Sequence, residues 1–422
     1  MKKLLTIAAL TASTFTAQAE VRINGFANFT GGMTDSNNTL YGYDDRFSFS
    51  EESLFAIQIS GDINDKMTAT GQLVAKGANN YDPEFEWAYL TYEATDNLSI
   101  VAGRLRLPLF NYSASKDVGY SYHWLTTPRS VYDVPFNNLE GIRFDYADYA
   151  GDWEYNINFS TGTFNGPTLG TEVTGNNALV LSAEATYDWF KIRGVAGTAK
   201  STLNIGNSTR ADLIQASAGL DSIYATGFSE LGELLKWEDD KGEFLGLSVQ
   251  VDKFDWFVSA EITSIDVAQS FLSSTEAYYV TAGMRKGKWT PSITYEKSKS
   301  EADIKFPSQV SQLTSAQLSI TQVQNFVNSP FGMSVNQGVI AAVGAPLTLL
   351  PQPNSSAIIT GALNSVSNGL LFANNSEDTT VSATLRYDYD VNIALKVDVS
   401  KFTDDLSDQD VTLIRFGANY VF

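Results

Sequence analysis

The feature that most constrains this chain is strict alternation of apolar and polar residues, repeated in segments of about ten residues. One clear segment runs from Trp153 to Ser160, and another runs from Val381 to Tyr389. Such alternation puts one face of a strand in an apolar medium and the other in water. Sixteen segments show it: 21–31, 52–62, 66–76, 84–94, 97–107, 140–149, 152–161, 178–188, 190–199, 243–252, 254–264, 276–286, 288–298, 379–389, 392–402 and 411–422. The pattern predicts an all-β fold, a transmembrane antiparallel up-and-down barrel of sixteen strands.

The connections between these segments alternate in length. Tight turns such as Asp252-Lys253 and Lys286-Gly287 follow even-numbered segments, whereas long loops follow odd-numbered ones. The long loops are 32–51, 108–139, 162–177, 200–242 and 299–378. A barrel inserted from the periplasm has this asymmetry, with short turns inside and long loops outside. A soluble β-sandwich gives no reason for it.

The first nineteen residues, 1–19, have the pattern of a secretory signal peptide. Lys2 and Lys3 precede a short apolar stretch, and Ala17-Gln18-Ala19 has the small residues of a cleavage site. We therefore expect residues 20–422 to form the mature barrel, exported through the periplasm to the cell outer membrane. No later run reaches the roughly 18 to 20 apolar residues that a helical membrane span needs.

Composition excludes several other classes. The chain has no cysteine, one histidine and a formal net charge of -20. It therefore lacks disulfides and thiolate metal sites. Its excess of acidic residues does not provide the basic surface that nucleic-acid binding requires. The enzyme alternative, an outer-membrane lipase or protease, needs a histidine coupled to a nucleophile or an activated water, and no nucleophile motif lies near His123. We expect no enzyme activity, cofactor, metal or nucleic-acid partner.

The last strand carries a recognisable pattern. Phe422 ends the chain, and Tyr420, Ala418 and Phe416 occupy every second position before it. This resembles the signature by which the barrel-assembly machinery recognises outer-membrane barrels, so Phe422 and Tyr420 are candidate assembly residues. With Gly103-Arg104 at the end of strand five, the sixteen-strand plan resembles the general porins of Gram-negative bacteria.

That resemblance implies a water-filled channel for passive diffusion of small hydrophilic solutes and ions. It also implies a homotrimer embedded among outer-membrane lipids and lipopolysaccharide. In this family the third external loop folds into the lumen and narrows it, and the corresponding loop in this sequence is 108–139.

Charged residues at a narrowing would create a transverse field across the pore. From the alternation along strand five, we expect Arg104 and Arg106 to face the lumen, with Ile100 and Ala102 on the same face. The candidate constriction residues are Arg104, Arg106, Arg143 and Asp145 on the wall, and Asp117 and Asp133 on the loop. The alternative is that these are ordinary lumen charges. Because the predicted wall charges balance, we expect only a weak preference for cations.

The third loop is rich in aromatic residues, which suggests a second function. Sugars stack on aromatic rings, so the loop could form a slide for sugars or oligosaccharides. The stacking candidates are Tyr112, Tyr120, Tyr122, Trp124 and Tyr132. The same rings could instead pack the loop against the wall, and a structural or adhesive surface barrel is a third alternative.

The seventh external loop, 299–378, contains an uncharged stretch from 307 to 376. Helical spacing relates Leu313, Ala316, Ile320, Val323 and Val327, and again Ile359, Leu363, Val366 and Leu370. The spacing predicts an extracellular insert with two short helices. The insert either caps the channel mouth or packs on itself.

Overall fold

A computed structural model describes residues 20–168, 170–204, 207–209, 237–267, 273–302, 320–351 and 375–422. The predicted signal peptide, 1–19, lies outside these ranges. The strands are β1 (Val21–Thr34), β2 (Leu54–Asn64), β3 (Met67–Lys76), β4 (Pro83–Glu93), β5 (Leu98–Arg106), β6 (Asn138–Ala150), β7 (Trp153–Thr168), β8 (Thr171–Tyr187), β9 (Phe190–Leu203), β10 (Trp237–Lys253), β11 (Trp256–Val267), β12 (Ser273–Met284), β13 (Trp289–Ala302), β14 (Ser376–Asp390), β15 (Ile393–Asp404) and β16 (Gln409–Val421).

Each strand pairs antiparallel with the next, and β1 pairs with β16 to close the barrel. At the closing seam the Gly25 N–H donates to the Phe422 carbonyl oxygen at 2.9 Å. The predicted closed barrel of sixteen strands is therefore confirmed. In the described part of the chain, no helix is long and apolar enough to cross a membrane.

The two faces of the wall differ as the alternation predicts. In β15, Leu395, Val397 and Val399 are exposed on the outside, whereas Lys396 and Asp398 are buried inside. Directly opposed residues on neighbouring strands share a face, so this division continues around the barrel. Exposed tryptophans such as Trp153 and Trp289 lie beside the short turns. They match the aromatic girdle of a membrane barrel.

One predicted loop, 162–177, is wrong. β7 continues to Thr168 and β8 begins at Thr171, so most of this stretch is a long hairpin with a register shift after Gly162. The exposed face of this hairpin carries polar residues such as Asn165, Glu172 and Thr174, so it lacks the apolar outer face that marks a membrane strand. Glycine and proline in the segment also gave it the composition of a turn.

Two helices lie in the seventh external loop, α2 (Ile320–Asn328) and α3 (Pro330–Val343), numbered after a short helix in the third loop. The predicted spacing at Ile320, Val323 and Val327 falls within α2, whereas α3 was not anticipated. The second predicted helix, from Ile359 to Leu370, lies outside the described residues, as do Leu313 and Ala316. α2 and α3 pack on each other and on the turn Leu347–Leu349.

Candidate functional site

The loop between β5 and β6, residues 107–137, packs against the inner face of the wall. It contains two short 3-10 turns and the helix α1 (Arg129–Tyr132). Trp124 Nε1 donates hydrogen bonds to Thr281 Oγ1 at 3.1 Å and to Thr294 Oγ1 at 3.0 Å. Both threonines alternate along their strands with exposed apolar residues, so the indole lies inside the barrel.

Most of the aromatic side chains of this loop are buried. Tyr122, Trp124 and Tyr132 expose no more than 4% of their surface and belong to one apolar cluster with inner-wall residues. Trp124 meets Tyr279 edge to face at 5.4 Å, and the Tyr132 hydroxyl donates to Glu261 Oε2 at 2.7 Å. We call this cluster the loop–wall core.

The loop–wall core decides between the two interpretations of these rings. Tyr112 packs on the core, and Tyr120 is only partly buried, with its hydroxyl donating to the Val391 carbonyl oxygen at 2.7 Å. A ring that is covered on both faces cannot stack on a sugar. The geometry therefore favours packing of the loop against the wall over a slide for sugars.

Buried cations of the wall hold the backbone of the loop. Lys396 on β15 is 2% exposed. Its Nζ donates to the carbonyl oxygens of Gly119, Tyr122 and Trp124 at 2.5, 2.8 and 2.5 Å. From β14, Arg386 donates to the Tyr120 and Tyr122 carbonyl oxygens, both at 2.7 Å.

A third wall cation acts on the other side of the barrel. Arg193 on β9 donates to the carbonyl oxygens of Pro108 and Leu109. The sequence alone assigns no partner to these three cations. Every residue has a carbonyl, so no sequence pattern marks the ones that they bind.

The loop also meets the seam where the barrel closes. Asn28 on β1 donates from Nδ2 to the Asp117 carbonyl oxygen at 2.8 Å, and Asn419 on β16 donates to Asn28 Oδ1 at 2.9 Å. Gly119 lies so close to both asparagines that a Cβ at this position would collide with them. A side chain here would displace both asparagines, so glycine is favoured where the loop crosses the β1–β16 seam.

A cavity of about 280 Å³ lies between the loop and the inner side of β1–β3 and the β1–β2 loop. Its charged lining residues are Glu51, Glu52, Lys76, Lys116, Asp117, Arg129 and Asp133. We call this cavity the charged passage. Asp117 links the loop to the wall, because Arg106 contacts it at 2.6 Å and Lys76 at 3.8 Å.

Burial and neighbouring charges have opposite effects on the pKa values of the loop residues Asp117 and Lys116. Burial alone would raise the pKa of Asp117, but Lys76, Arg106 and Lys116 outweigh it and lower the pKa to about 2. For Lys116, burial lowers the pKa to about 8, although Asp117 opposes the change. Asp117 is therefore ionised at neutral pH, and Lys116 loses its proton at a pH just above neutral.

A buried acid that lines the charged passage, Glu52, links the third loop to the wall. Glu52, in the β1–β2 loop, accepts from Arg129 of the loop at 2.7 Å and from Arg415 of β16 at 2.9 Å. Burial would raise the pKa of Glu52, but these two guanidinium groups outweigh burial and lower it. Arg415 also pairs with Asp398 at 2.7 Å, so the cluster of two acids and two cations is compensated.

The predicted constriction residues are only partly brought together. Arg106 is the last residue of β5, where strand alternation ends, and it meets Asp117 as expected and also pairs with Glu86 at 2.9 Å. Asp133 is 65% exposed and lies 3.7 Å from Arg129 of its own loop, not opposite a wall arginine.

The second predicted wall pair lies on the same inner face but makes its own contacts. Arg143 pairs with Asp145 at 2.8 Å, and Asp145 also accepts from Asn158 at 2.6 Å. Arg143 stands opposite the buried Ser160 of β7, which places it inside the barrel. These two residues are inner-wall charges bound to each other.

The prediction that Arg104 faces the lumen is wrong. Arg104 lies directly opposite Ala88 of β4 and Glu140 of β6, and directly opposed residues share one face of a sheet. The next pairs along that face include Leu90 and Ile142, both exposed on the outside. Arg104 pairs with Glu140 at 3.2 Å on this outer face.

The same error applies to Ile100 and Ala102, which lie on the outer face with Arg104. The inner face of β5 carries Val101 and Leu105, which are buried inside the barrel. Because apolar residues occur on both faces of this strand, alternation does not tell which face meets lipid.

The single histidine has a packing role. The His123 ring lies 4.1 Å from Trp124 and 4.4 Å from Phe257 between ring centroids. Burial, with nearby Lys396 and Arg285, lowers the pKa of His123 well below its usual value. Among the residues that the structure describes, no group of three or more histidines and acids is placed to hold a metal ion.

Comparison with solved structures shows the same architecture in other outer-membrane proteins. The outer membrane channel DcaP of Acinetobacter baumannii is 10% identical, with a TM-score of 0.53 over 98% of this chain and all of that one. An anion-selective porin from Comamonas acidovorans is 10% identical, with a TM-score of 0.53 over 96% of this chain and all of that one. The trimer form of OmpT, an outer membrane protein of Vibrio cholerae, is 11% identical, with a TM-score of 0.50 over 96% and 99% of the two chains.

At these identities the likeness is one of fold. No curated protein matches the sequence. A family model described as Gram-negative porin matches residues 5–326, which is most of the chain. The chain therefore belongs to the family of Gram-negative porins and is an outer-membrane channel for passive diffusion.

Proposed function

We propose that ions and small hydrophilic solutes cross the barrel through the charged passage, and that the loop 108–139 narrows the lumen there. The observation that carries this is the cavity between loop and wall, which Lys116, Asp117 and Asp133 line from the loop and Lys76 lines from the wall. Opposed charges in a narrow gap produce a transverse field that orients dipolar solutes. Arg143 and Asp145 contribute further charge to the inner wall, whereas Arg104 lies outside this path.

The lining of the charged passage supports a weak preference for cations. Four acids and three basic residues line it. Much of this charge is paired, as in the contact of Glu52 with Arg129, so the surplus acts only mildly on a passing ion.

Substitution of two accessible lining residues tests the passage. Lys76→Met removes a positive charge and should raise the cation preference, whereas Asp133→Asn should lower it. Reversal potentials across planar bilayers in a salt gradient measure both changes. Arg104→Gln is the matched control, because it removes a charge from the outer face and should leave the potential unchanged. Unchanged potentials in both passage variants would exclude this route.

We also propose that the channel is a homotrimer. The OmpT comparison structure is described as a trimer form. On the outside of the barrel, Phe47 stacks on Phe416 at 5.4 Å and meets Phe49 edge to face at 5.0 Å. This aromatic cluster on the outer face of β16 is the candidate contact with a second subunit. Native mass spectrometry of the detergent complex should give a species of three chains, and a species of one chain would contradict the proposal.

Export and assembly complete the proposal. Residues 1–19 act as a cleaved signal peptide, so the membrane form should begin at Glu20 by N-terminal sequencing. Phe422 is 45% exposed and stacks on Tyr420 at 5.5 Å, which leaves both available to the barrel-assembly machinery. Outer-membrane lipids and lipopolysaccharide surround the apolar outer face. The contacts of the His123 ring with Trp124 and Phe257 favour a packing role over a catalytic one.

A further inference from the structure

A second cavity, of about 210 Å³, lies on the opposite side of the loop, against β8–β12. Leu107 and Phe136 of the loop form one side, and Val180, Phe244 and Ile265 of the inner wall form the other. We call this cavity the apolar recess. It is a different part of the lumen from the charged passage.

The recess exists because the inner wall lacks side chains at two positions. Gly197 on β9 stands directly between Val180 of β8 and Phe244 of β10. Gly242 on β10 also lines the cavity, and a Cβ there would meet no atom closer than 3.8 Å. Without side chains at these two glycines, the surrounding apolar groups enclose a space that they do not fill.

Apolar surface facing a water-filled lumen is unfavourable, at about 25 cal/mol for each Å² that remains wet. Apolar cavities of about 150 Å³ in other proteins stay dry and bind a single benzene ring. The recess is larger than this, and its wall is formed by Val180, Phe244 and Ile265. Its size and lining therefore suit one aromatic ring.

A carboxylate lies beside the recess on the same inner face. Asp240 of β10 stands directly opposite Ser201 and two residues before Gly242, and both of these residues line the cavity. Asp240 Oδ2 is buried and has no hydrogen-bond partner among the described residues. A buried acceptor without a donor is costly, so a ligand that supplies the donor is favoured.

The one acidic residue among the described lining residues does not compete for this donor. Glu243 forms an ion pair with Lys241. It lies on the same strand face as the exposed Leu245, which points away from the lumen.

We propose that the apolar recess is a binding site for small aromatic amines, with the ring in the recess and the ammonium group at Asp240. This names a solute class for the channel and rests on the proposed function only in requiring that the lumen admit solutes. The charged passage would carry hydrophilic solutes, whereas the recess would retain an amphiphilic cation.

Calorimetric titration of the full-length protein in detergent tests the site with two probes. Benzylamine should bind about tenfold more tightly than benzyl alcohol, which has the same ring but no charge. Asp240→Asn should abolish this difference and leave benzyl alcohol binding intact. Asp266→Asn is the matched control, because this exposed acid lies on the outer face opposite Glu243 and should leave the preference unchanged.

Filling the recess tests the position of the ring. Ala199→Leu adds bulk inside the recess and should weaken both probes about tenfold or more. Ala196→Leu adds the same bulk on the outer face and should have no effect. Absence of benzylamine binding to the unmodified protein, an equal affinity for both probes, or equal effects of the two leucine variants would each overturn the proposal.

Ion currents are recorded separately on the same preparations. A conducting channel that fails to bind benzylamine would overturn the recess site and leave the charged passage standing. A protein that binds benzylamine and carries no current would overturn the passage and leave the recess site standing.

Discussion

Two sides of the inner wall hold the same loop by different means. On β14–β16, buried cations such as Lys396 and Arg386 bind its backbone carbonyl oxygens. On β8–β12, Arg193 binds two loop carbonyl oxygens, and Val180 and Phe244 pack against the apolar side chains of the loop in the loop–wall core. Hydrogen bonds from cations are short and directional, whereas apolar contacts are proportional to area and tolerate small displacements. The cationic side therefore fixes where the loop lies, and the apolar side supplies most of the free energy that keeps it folded inward.

The largest expected effect comes from the apolar side of this comparison. Trp124→Ala removes a side chain that is 3% exposed and leaves a cavity in the loop–wall core. Replacing a buried tryptophan by alanine lowers the free energy of unfolding by about 3–5 kcal/mol. Urea unfolding in detergent, followed by the gel mobility of folded and unfolded forms, measures the loss.

Trp289→Ala is the control for this change, because Trp289 is exposed beside a short turn. It should cost much less in detergent than Trp124→Ala. Equal losses in the two variants would mean that the loop–wall core adds little to stability.

The cationic side should show a smaller loss of stability and a larger change in current. Lys396→Met leaves three loop carbonyl oxygens without their donor, which costs about 2–3 kcal/mol. The loop then loses its fixed position, so single-channel currents should become noisier and higher on average. Planar-bilayer recordings measure this change.

Lys401→Met removes an exposed lysine of the same strand and should leave the current steady. If Lys396→Met conducts as quietly as this control, the cations do not position the loop. The inference that the cationic side fixes the position of the loop would then be wrong.

The smallest effect is a change of selectivity with pH, and it should come from the charged passage alone. Burial lowers the pKa of Lys116 to about 8, so its positive charge disappears as pH rises through that value. Cation preference should therefore increase between about pH 7 and 9, as read from reversal potentials. Lys116→Met should abolish the step, and a step that persists in this variant would assign it to another group.

The same shift affects stability. The folded chain binds the Lys116 proton less tightly than the unfolded chain, whose lysine titrates near 10.5. The free energy of unfolding should therefore rise as pH increases from about 8 toward 10.5. Below pH 8 both states are protonated, and this contribution stays at its least favourable value.

The barrel could be predicted from the sequence because the membrane imposes a period of two on every strand that crosses it. The prediction failed where that constraint ends. Between Gly162 and Gly175 both strands of the β7–β8 hairpin extend beyond the apolar layer, and their residues looked like those of a loop. On β5 the pattern was ambiguous, because Val101 and Leu105 make the inner face as apolar as the outer one.

The site was less predictable than the barrel. The pairing of Arg106 with Asp117 followed from opposite charges on a wall and a loop that had to meet. The contacts of Lys396 and Arg193 did not, because their partners are backbone atoms that no side-chain pattern reveals. The apolar recess depends on how β8–β12 align Gly197 with Phe244, which requires knowledge of strand register.

The glycine at the closing seam sets an order of events during folding. Gly119 contacts Asn28 of the first strand and Asn419 of the last. It can make both contacts only after these two strands have paired. Contacts this distant in sequence form late, because a long loop of chain must close before they contribute. The loop therefore takes its final place at the seam only after β1 and β16 have paired. Final docking of the loop reports that the barrel has closed correctly.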